Sequence, residues 1–185
     1  MSERFVVLTG GPGSGRSTLI ERLAVAGFGR SEEAGRGVIR DQVAIGGPAL
    51  PWNDPALFAE LMLGWELRSY RLAAEGGGGP VFFDRGVPDI VGYLRLERRP
   101  VPAHVDEAAR AFRYHHRVFV APPWPEIYER DEERKQSLEV AERTYESMVE
   151  TYGEYGYDLV TLPRCPVEQR FRFVLDTLGI PEPRP

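Results

Sequence analysis

Four glycines, two serines and a threonine crowd into the run Gly10-Gly11-Pro12-Gly13-Ser14-Gly15-Arg16-Ser17-Thr18. Glycine reaches backbone angles that a side chain forbids. Gly10, Gly11, Gly13 and Gly15 can therefore let successive N–H groups, with that of Ser14 among them, turn inward around an anion. The spacing meets the pattern G-x-x-x-x-G-K-[ST] at Gly10, Gly15 and Ser17, with Arg16 where the pattern has lysine. Read as a phosphate-binding loop, it puts the Ser17 hydroxyl on a Mg²⁺ that bridges the outer phosphates of ATP or GTP, and Thr18 near the inner ones. A helix starting near Gly15 points its positive end at the same place. An ordinary glycine-rich turn is the plainer alternative, but the long pattern sits between a hydrophobic strand and a helix, as phosphate binding requires.

Position 16 is the departure. Lysine reaches outer phosphates as a compact point charge, whereas a planar guanidinium needs more room and another angle. Basic charge in this chain is almost all arginine, Lys135 being the only lysine, so compositional bias is one account of Arg16. Everything else around the loop suits a lysine, which predicts faster phosphoryl transfer for Arg16→Lys. The opposite follows if Glu32, Glu33 or Asp84 grips the guanidinium in a bidentate pair.

Other groups could complete a phosphoryl-transfer site. Asp84 ends the hydrophobic run Val81-Phe82-Phe83, where it could hold Mg²⁺ together with Ser17 or merely cap the next turn. Arg85 could contact acceptor or phosphate oxygens, or pair with an acid. Glu33 could take the proton from an acceptor hydroxyl. Glu32 competes for that task, and pairing of Glu33 with Arg36 or Arg40 is the structural alternative. Arg130 and Arg134 lie four apart, on one face if helical, with Lys135 adjacent; they could close over the phosphates as a lid spanning about 122–137. The surrounding acids equally suit a solvated, salt-bridged face. His115-His116 have no third ligand nearby in sequence, which argues against a metal there. Trp52 fits either over an acceptor pocket or in the core.

The elements that must position these groups alternate. Strands are expected from Phe5 into the glycine-rich turn and at 28–32, 80–84, 117–121 and 157–162. Helices are expected at 16–26, through Val38 to Val43, at 55–75, 89–96 and 103–112, through Tyr145 to Tyr152, and at 167–178. Asp54 caps the long helix with Pro55 at its first position, and Phe58, Leu61, Met62, Trp65, Ser69 and Leu72 mark its stripe. Alternation of this kind implies an α/β fold: a parallel five-stranded sheet with helices on both faces, ligands gathering at the strands' carboxyl ends. The loop, Glu32-Glu33, Asp84-Arg85 and the charged segment all follow strands. One domain over 1–185 suffices, with no repeat or linker.

Composition narrows the function classes. A net charge of −5 argues against nucleic-acid binding, and the single Cys165 excludes an internal disulfide or a cysteine metal cluster. No stretch approaches a membrane span, and a strand beginning within four residues of the start leaves no room for a secretory signal, so a cytoplasmic location is expected.

The phosphate loop, Asp84-Arg85-Gly86 and the arginines of 130–135 together resemble the P-loop small-molecule kinases, including nucleoside, nucleotide and nicotinamide riboside kinases. Glu33-Ala34-Gly35-Arg36, Phe82-Phe83-Asp84-Arg85-Gly86, Ala121-Pro122-Pro123-Trp124, Glu132-Glu133-Arg134-Lys135-Gln136-Ser137 and Gly156-Tyr157 resemble a bacterial group of single-domain ATPases of the AAA class. No arginine-finger or hexamer-forming feature of an AAA motor is present in the sequence. The resemblance implies a three-layer α/β/α fold, transfer of a γ-phosphoryl group to a small-molecule hydroxyl or phosphate, and adenine near Pro163-Arg164-Cys165-Pro166. A nucleotide-binding regulatory protein with little turnover and a partner-coupled ATPase are the alternatives.

Overall fold

The computed structural model describes residues 2–125 and 138–182. Its five strands are β1 (Phe5–Gly10), β2 (Gly29–Ser31), β3 (Val81–Asp84), β4 (Arg117–Ala121) and β5 (Asp158–Thr161). They form one parallel sheet in the order β2-β3-β1-β4-β5. Among the described residues the helices are α1 (Arg16–Val25), α2 (Ala34–Ile45), α3 (Pro55–Glu75), α4 (Val87–Leu96), α5 (Ala103–Ala111), α6 (Leu138–Glu154) and α7 (Val167–Leu178).

β1 is buried along its whole length because helices cover both faces of the sheet. Successive side chains point to opposite sides. Phe5 and Val7 therefore join Phe83, Val118 and residues of α2 to α6 in one core, while Val6 and Leu8 join Phe82, Phe119, α1 and α7 in the other. Each fully buried Phe or Leu contributes about 1.5–3 kcal/mol, so these two cores hold the three layers together. The sequence places every strand, with boundaries shifting by one or two residues.

Helix ends follow local chemistry. Asp54 accepts a hydrogen bond from the Leu57 N–H at 3.0 Å and Pro55 opens α3, as their types require. The expected stripe of α3 is partly wrong. Leu61 and Leu72 are exposed, and the buried side runs through Phe58, Ala59, Met62, Leu63 and Glu66. The helix rotates so that Tyr70 meets Phe5 edge-on and donates its hydroxyl to the Arg113 carbonyl at 2.7 Å. That rotation carries a carboxyl inward. Trp52 is 69% exposed and takes no part in the core.

Candidate functional site

The loop between β1 and α1 closes because two of its glycines have no substitute. Gly10, at φ 129°, passes so close to β4 that an added Cβ would lie 2.3 Å from the Ala121 carbonyl oxygen. Gly15, at φ 71°, caps α1 without any side-chain hydrogen bond, so the first-turn N–H groups of that helix stay open to an anion. The Ser14 hydroxyl donates to the Gly11 carbonyl at 2.9 Å and draws the loop together. Gly13 also has positive φ, and Gly11 runs against the start of α6 at Ala141. Ser17 is half-buried and Thr18 exposed at the head of α1.

Arg16 reaches two acids. It is buried, and its Nε donates to Asp84 Oδ1 at 2.5 Å, Nη1 to the Gly10 carbonyl at 3.0 Å and Nη2 to Glu33 Oε2 at 3.2 Å. Three sides of the planar fork are engaged, an arrangement that an ammonium cannot copy. Asp84 reaches this position because β3 lies beside β1, with Asp84 level with Leu8.

Glu33 is the N-cap of α2 and collects three arginines: Arg16, Arg36 at 3.0 Å and Arg85 at 3.3 Å. Burial pushes its carboxyl up, but Arg85, Arg16 and Arg36 outweigh that and hold it at about 2. Its rival Glu32 is exposed and lines a groove of about 580 Å³ on the outer side of β2, with Arg30, Trp65 and Arg68. Of the two, Glu33 is the acid that meets the loop. Both expected partners are qualified: Arg36 does pair with it, while Arg40 instead meets Asp41.

Arg85 follows β3 in the left-handed region at φ 77°, a conformation costly for any residue with a side chain. Its N–H is tied to the Leu8 carbonyl at 3.0 Å, and its guanidinium lies between Glu33 and Asp89, bonded to the latter at 3.0 Å. Burial disfavours the charged form, but Glu33, Asp89 and Asp84 more than compensate and raise its pKa.

Asp89 was not singled out from the sequence. It accepts from the hydroxyls of Thr9 and Tyr152 at 2.5 and 2.6 Å, from the Gly86 N–H at 2.9 Å and from Arg85. One buried carboxylate thus fixes β1, α4 and α6 around Arg85. Its i,i+4 spacing from Arg85 is the signal that could have revealed it.

Glu66 was also missed. It is 1% exposed and its Oε2 has no hydrogen-bond partner among the described residues. Burial, then Asp89 and Asp84, raise its pKa well above the usual carboxylate value. An acid at the Phe58-Met62-Glu66 spacing, on the face that helical periodicity buries, was its sequence signal.

Arg130, Arg134, Lys135 and most of the expected lid lie outside the described residues. His115 and His116 sit far from the loop, at the amino end of β4, with their rings stacked 4.4 Å apart. Contrary to the sequence reading, a third group is near them. Glu3 Oε2 lies 3.5 Å from His115 Nε2 and 3.6 Å from His116 Nδ1, brought there because β1 and β4 are neighbours. The ring planes are only 25° from parallel, an orientation ill suited to converging on one ion, and the Arg117 N–H already occupies His115 Nδ1.

The Ser17 hydroxyl and the Asp84 carboxylate are oxygen donors of the kind that Mg²⁺ takes. The fit is conditional, because Asp84 is already held by Arg16.

Deoxyadenosine kinase from M. mycoides, solved with dCMP and dCDP, has a similar fold: TM-score 0.61 and 15% identity over 95% of this chain and 98% of that one. NadR in complex with NR aligns with TM-score 0.69 and 19% identity over 98% of this chain, which spans 53% of NadR. No curated protein matches the sequence. Identities this low speak for the fold alone: a five-stranded parallel α/β domain of the nucleoside-kinase-like P-loop type. The family pattern described as AAA domain matches residues 5–170. That match runs from the first residue of β1 into α7 and takes in the loop, Glu33 and Asp84-Arg85, and on it the chain belongs to the AAA domain family.

Proposed function

We propose that the chain binds a purine nucleoside triphosphate in the Gly10–Thr18 loop and transfers its γ-phosphoryl group to a small-molecule acceptor. One observation carries the reading: the uncapped first turn of α1 and the Asp84-Arg85-Glu33 cluster lie together at the carboxyl ends of adjacent strands. Anion binding by loop N–H groups and charge-neutralising side chains beside it are what phosphoryl transfer requires. Deoxyadenosine kinase and NadR, which share the fold, support a nucleoside-like acceptor.

In this reading Ser17 and Asp84 would hold Mg²⁺, which when bound would supply charge neutralisation for the outer phosphates. Arg85 contacts acceptor or phosphate oxygens. Glu33 orients the acceptor hydroxyl, because a carboxylate held near pKa 2 is a feeble proton acceptor while its arginine partners remain in place. Arg130 and Arg134, which lie outside the described residues, would add positive charge toward the phosphates.

A second reading has its own support. Arg16 neutralises Asp84 and Glu33, which suits a regulatory protein that binds nucleotide and turns it over slowly. Calorimetric titration with ATP and GTP, followed by transfer assays with deoxyadenosine, deoxycytidine and nicotinamide riboside, separates the two. Binding with acceptor-dependent ADP formation supports the kinase, and binding without turnover supports the regulator. Absence of binding at millimolar nucleotide overturns both.

A further inference from the structure

A charge is missing from the inner face of this loop and present on its outer face. Arg16 stands where a lysine would meet the phosphates, yet its guanidinium is bound to Asp84 and Glu33, so its positive charge is already balanced. Arg170, in the first turn of α7, is in the opposite condition. It is 4% exposed, and no carboxylate lies within ion-pair distance of it among the described residues. Its Nε has no hydrogen-bond partner among the described residues. Its Nη1 donates to the Gly15 carbonyl at 3.0 Å and to the Ser14 carbonyl at 3.4 Å, and its guanidinium stacks 5.2 Å from the ring centre of Trp124. An added Cβ on Gly15 would lie 2.8 Å from both terminal nitrogens, so the guanidinium rests directly on the loop backbone.

A buried guanidinium with no counter-ion among the described residues is costly unless something anionic completes it. In a trans peptide the C=O and N–H point in opposite directions. The carbonyls of Ser14 and Gly15, held outward by Arg170, thus belong to the peptides whose N–H groups, those of Gly15 and Arg16, face the other way. We propose that Arg170 supplies the positive charge of the phosphate loop, acting through these two peptides on a bound polyphosphate, in place of the charge that position 16 shares with Asp84 and Glu33. Arg170 is a positioning residue: it orients the cradle and adds a cation, unbalanced among the described residues, one backbone layer behind the phosphates. Burial lowers its pKa, and a polyanion in the loop relieves that penalty.

The inference rests on the proposal that the loop binds a nucleoside triphosphate. Its test is calorimetry of the whole chain with ATP, ADP, AMP and adenosine, for the wild type, Arg170→Gln and Arg170→Lys. Glutamine removes the charge, whereas lysine keeps it and loses both the fork and the stack on Trp124. Arg170→Gln should weaken ATP binding about tenfold, a size consistent with a charge acting across several ångströms of protein. ADP and AMP should lose progressively less, adenosine nothing, and Arg170→Lys should stay within about threefold of wild type for ATP. Wild-type ATP affinity in Arg170→Gln would show that its charge does not reach the phosphates, and an equal loss for adenosine, or a loss in Arg170→Lys as large as in Arg170→Gln, would show a mechanical clip; each overturns the idea. If Arg170→Gln does not fold, Arg170→Met serves as the neutral variant with the same expected and overturning results. A wild-type chain that binds no ATP refutes the nucleotide reading itself.

Discussion

Arg16→Lys is the sharpest test of the site, because sequence and structure predict opposite results for it. The pattern around position 16 favours lysine. The structure shows a fork with three acceptors: Asp84, Glu33 and the Gly10 carbonyl. A lysine stem is shorter and ends in one nitrogen, which can retain the Asp84 contact but cannot also span to Glu33 and Gly10. The variant then loses two charge-assisted buried hydrogen bonds, each worth about 1.5–3 kcal/mol. Together that is about 3–6 kcal/mol, less whatever water recovers. In a chain of this size each kcal/mol shifts the melting temperature by about 2–4 °C, so a fall of about 6 °C or more is expected. Transfer to any acceptor the wild type uses should fall about tenfold, equivalent to about 1.4 kcal/mol of barrier, because Glu33 and Asp84 lose the group that spaces them. Calorimetric melts and steady-state rates on the same preparations check both. A lysine variant as stable as wild type, or faster, would refute the reasoning and mean that Arg16 merely fills the place of a lysine.

Asp84→Asn should reduce Mg²⁺-dependent turnover more than Mg²⁺-free nucleotide binding; equal losses in both assays would assign Asp84 to holding Arg16 alone. Glu33 is a carboxylate with a depressed pKa, so its stabilisation is complete above pH 4.5 and is lost as pH falls toward about 2. It amounts to an order of 3 kcal/mol. Glu33→Gln should therefore flatten the acid limb of a urea-melt pH series between those values, and an unchanged limb would count against the arginine cluster. Glu66 has the opposite sign. Its raised pKa makes the native state bind more protons than the unfolded chain above pH 4.5, so stability declines as pH rises from there. Glu66→Gln should remove that slope and stabilise the chain near neutral pH, as measured by denaturant midpoints; destabilisation would mean that the acid has a partner. Gly15→Ala should cost stability and nucleotide affinity together, since φ 71° and the Arg170 guanidinium both exclude a side chain.

Local rules read from the sequence located every strand, the Asp54 cap and the glycine loop, because these depend on neighbours a few residues apart. They also brought Asp84, Arg85 and Glu33 to one end of the sheet, since parallel topology gathers the residues that follow strands. They could not say which acid takes Arg16. Glu32 and Glu33 are adjacent in the chain, and only the turn from β2 into α2 sends one outward to the groove and the other in to the arginines. Asp89, Glu66 and Arg170 were similarly hidden. Their roles arise from contacts 63 residues apart in the case of Tyr152 and Asp89, and 155 in that of Gly15 and Arg170. The same holds for Glu3, which meets the histidine pair only because β1 and β4 are neighbours. Residue type and spacing therefore determined that an anion cradle exists and where it lies. Which charges are balanced around it, Arg16 by two acids and Arg170 by none among the described residues, was decided by tertiary packing, because ion pairing in a buried site depends on distances that the order of the chain does not contain.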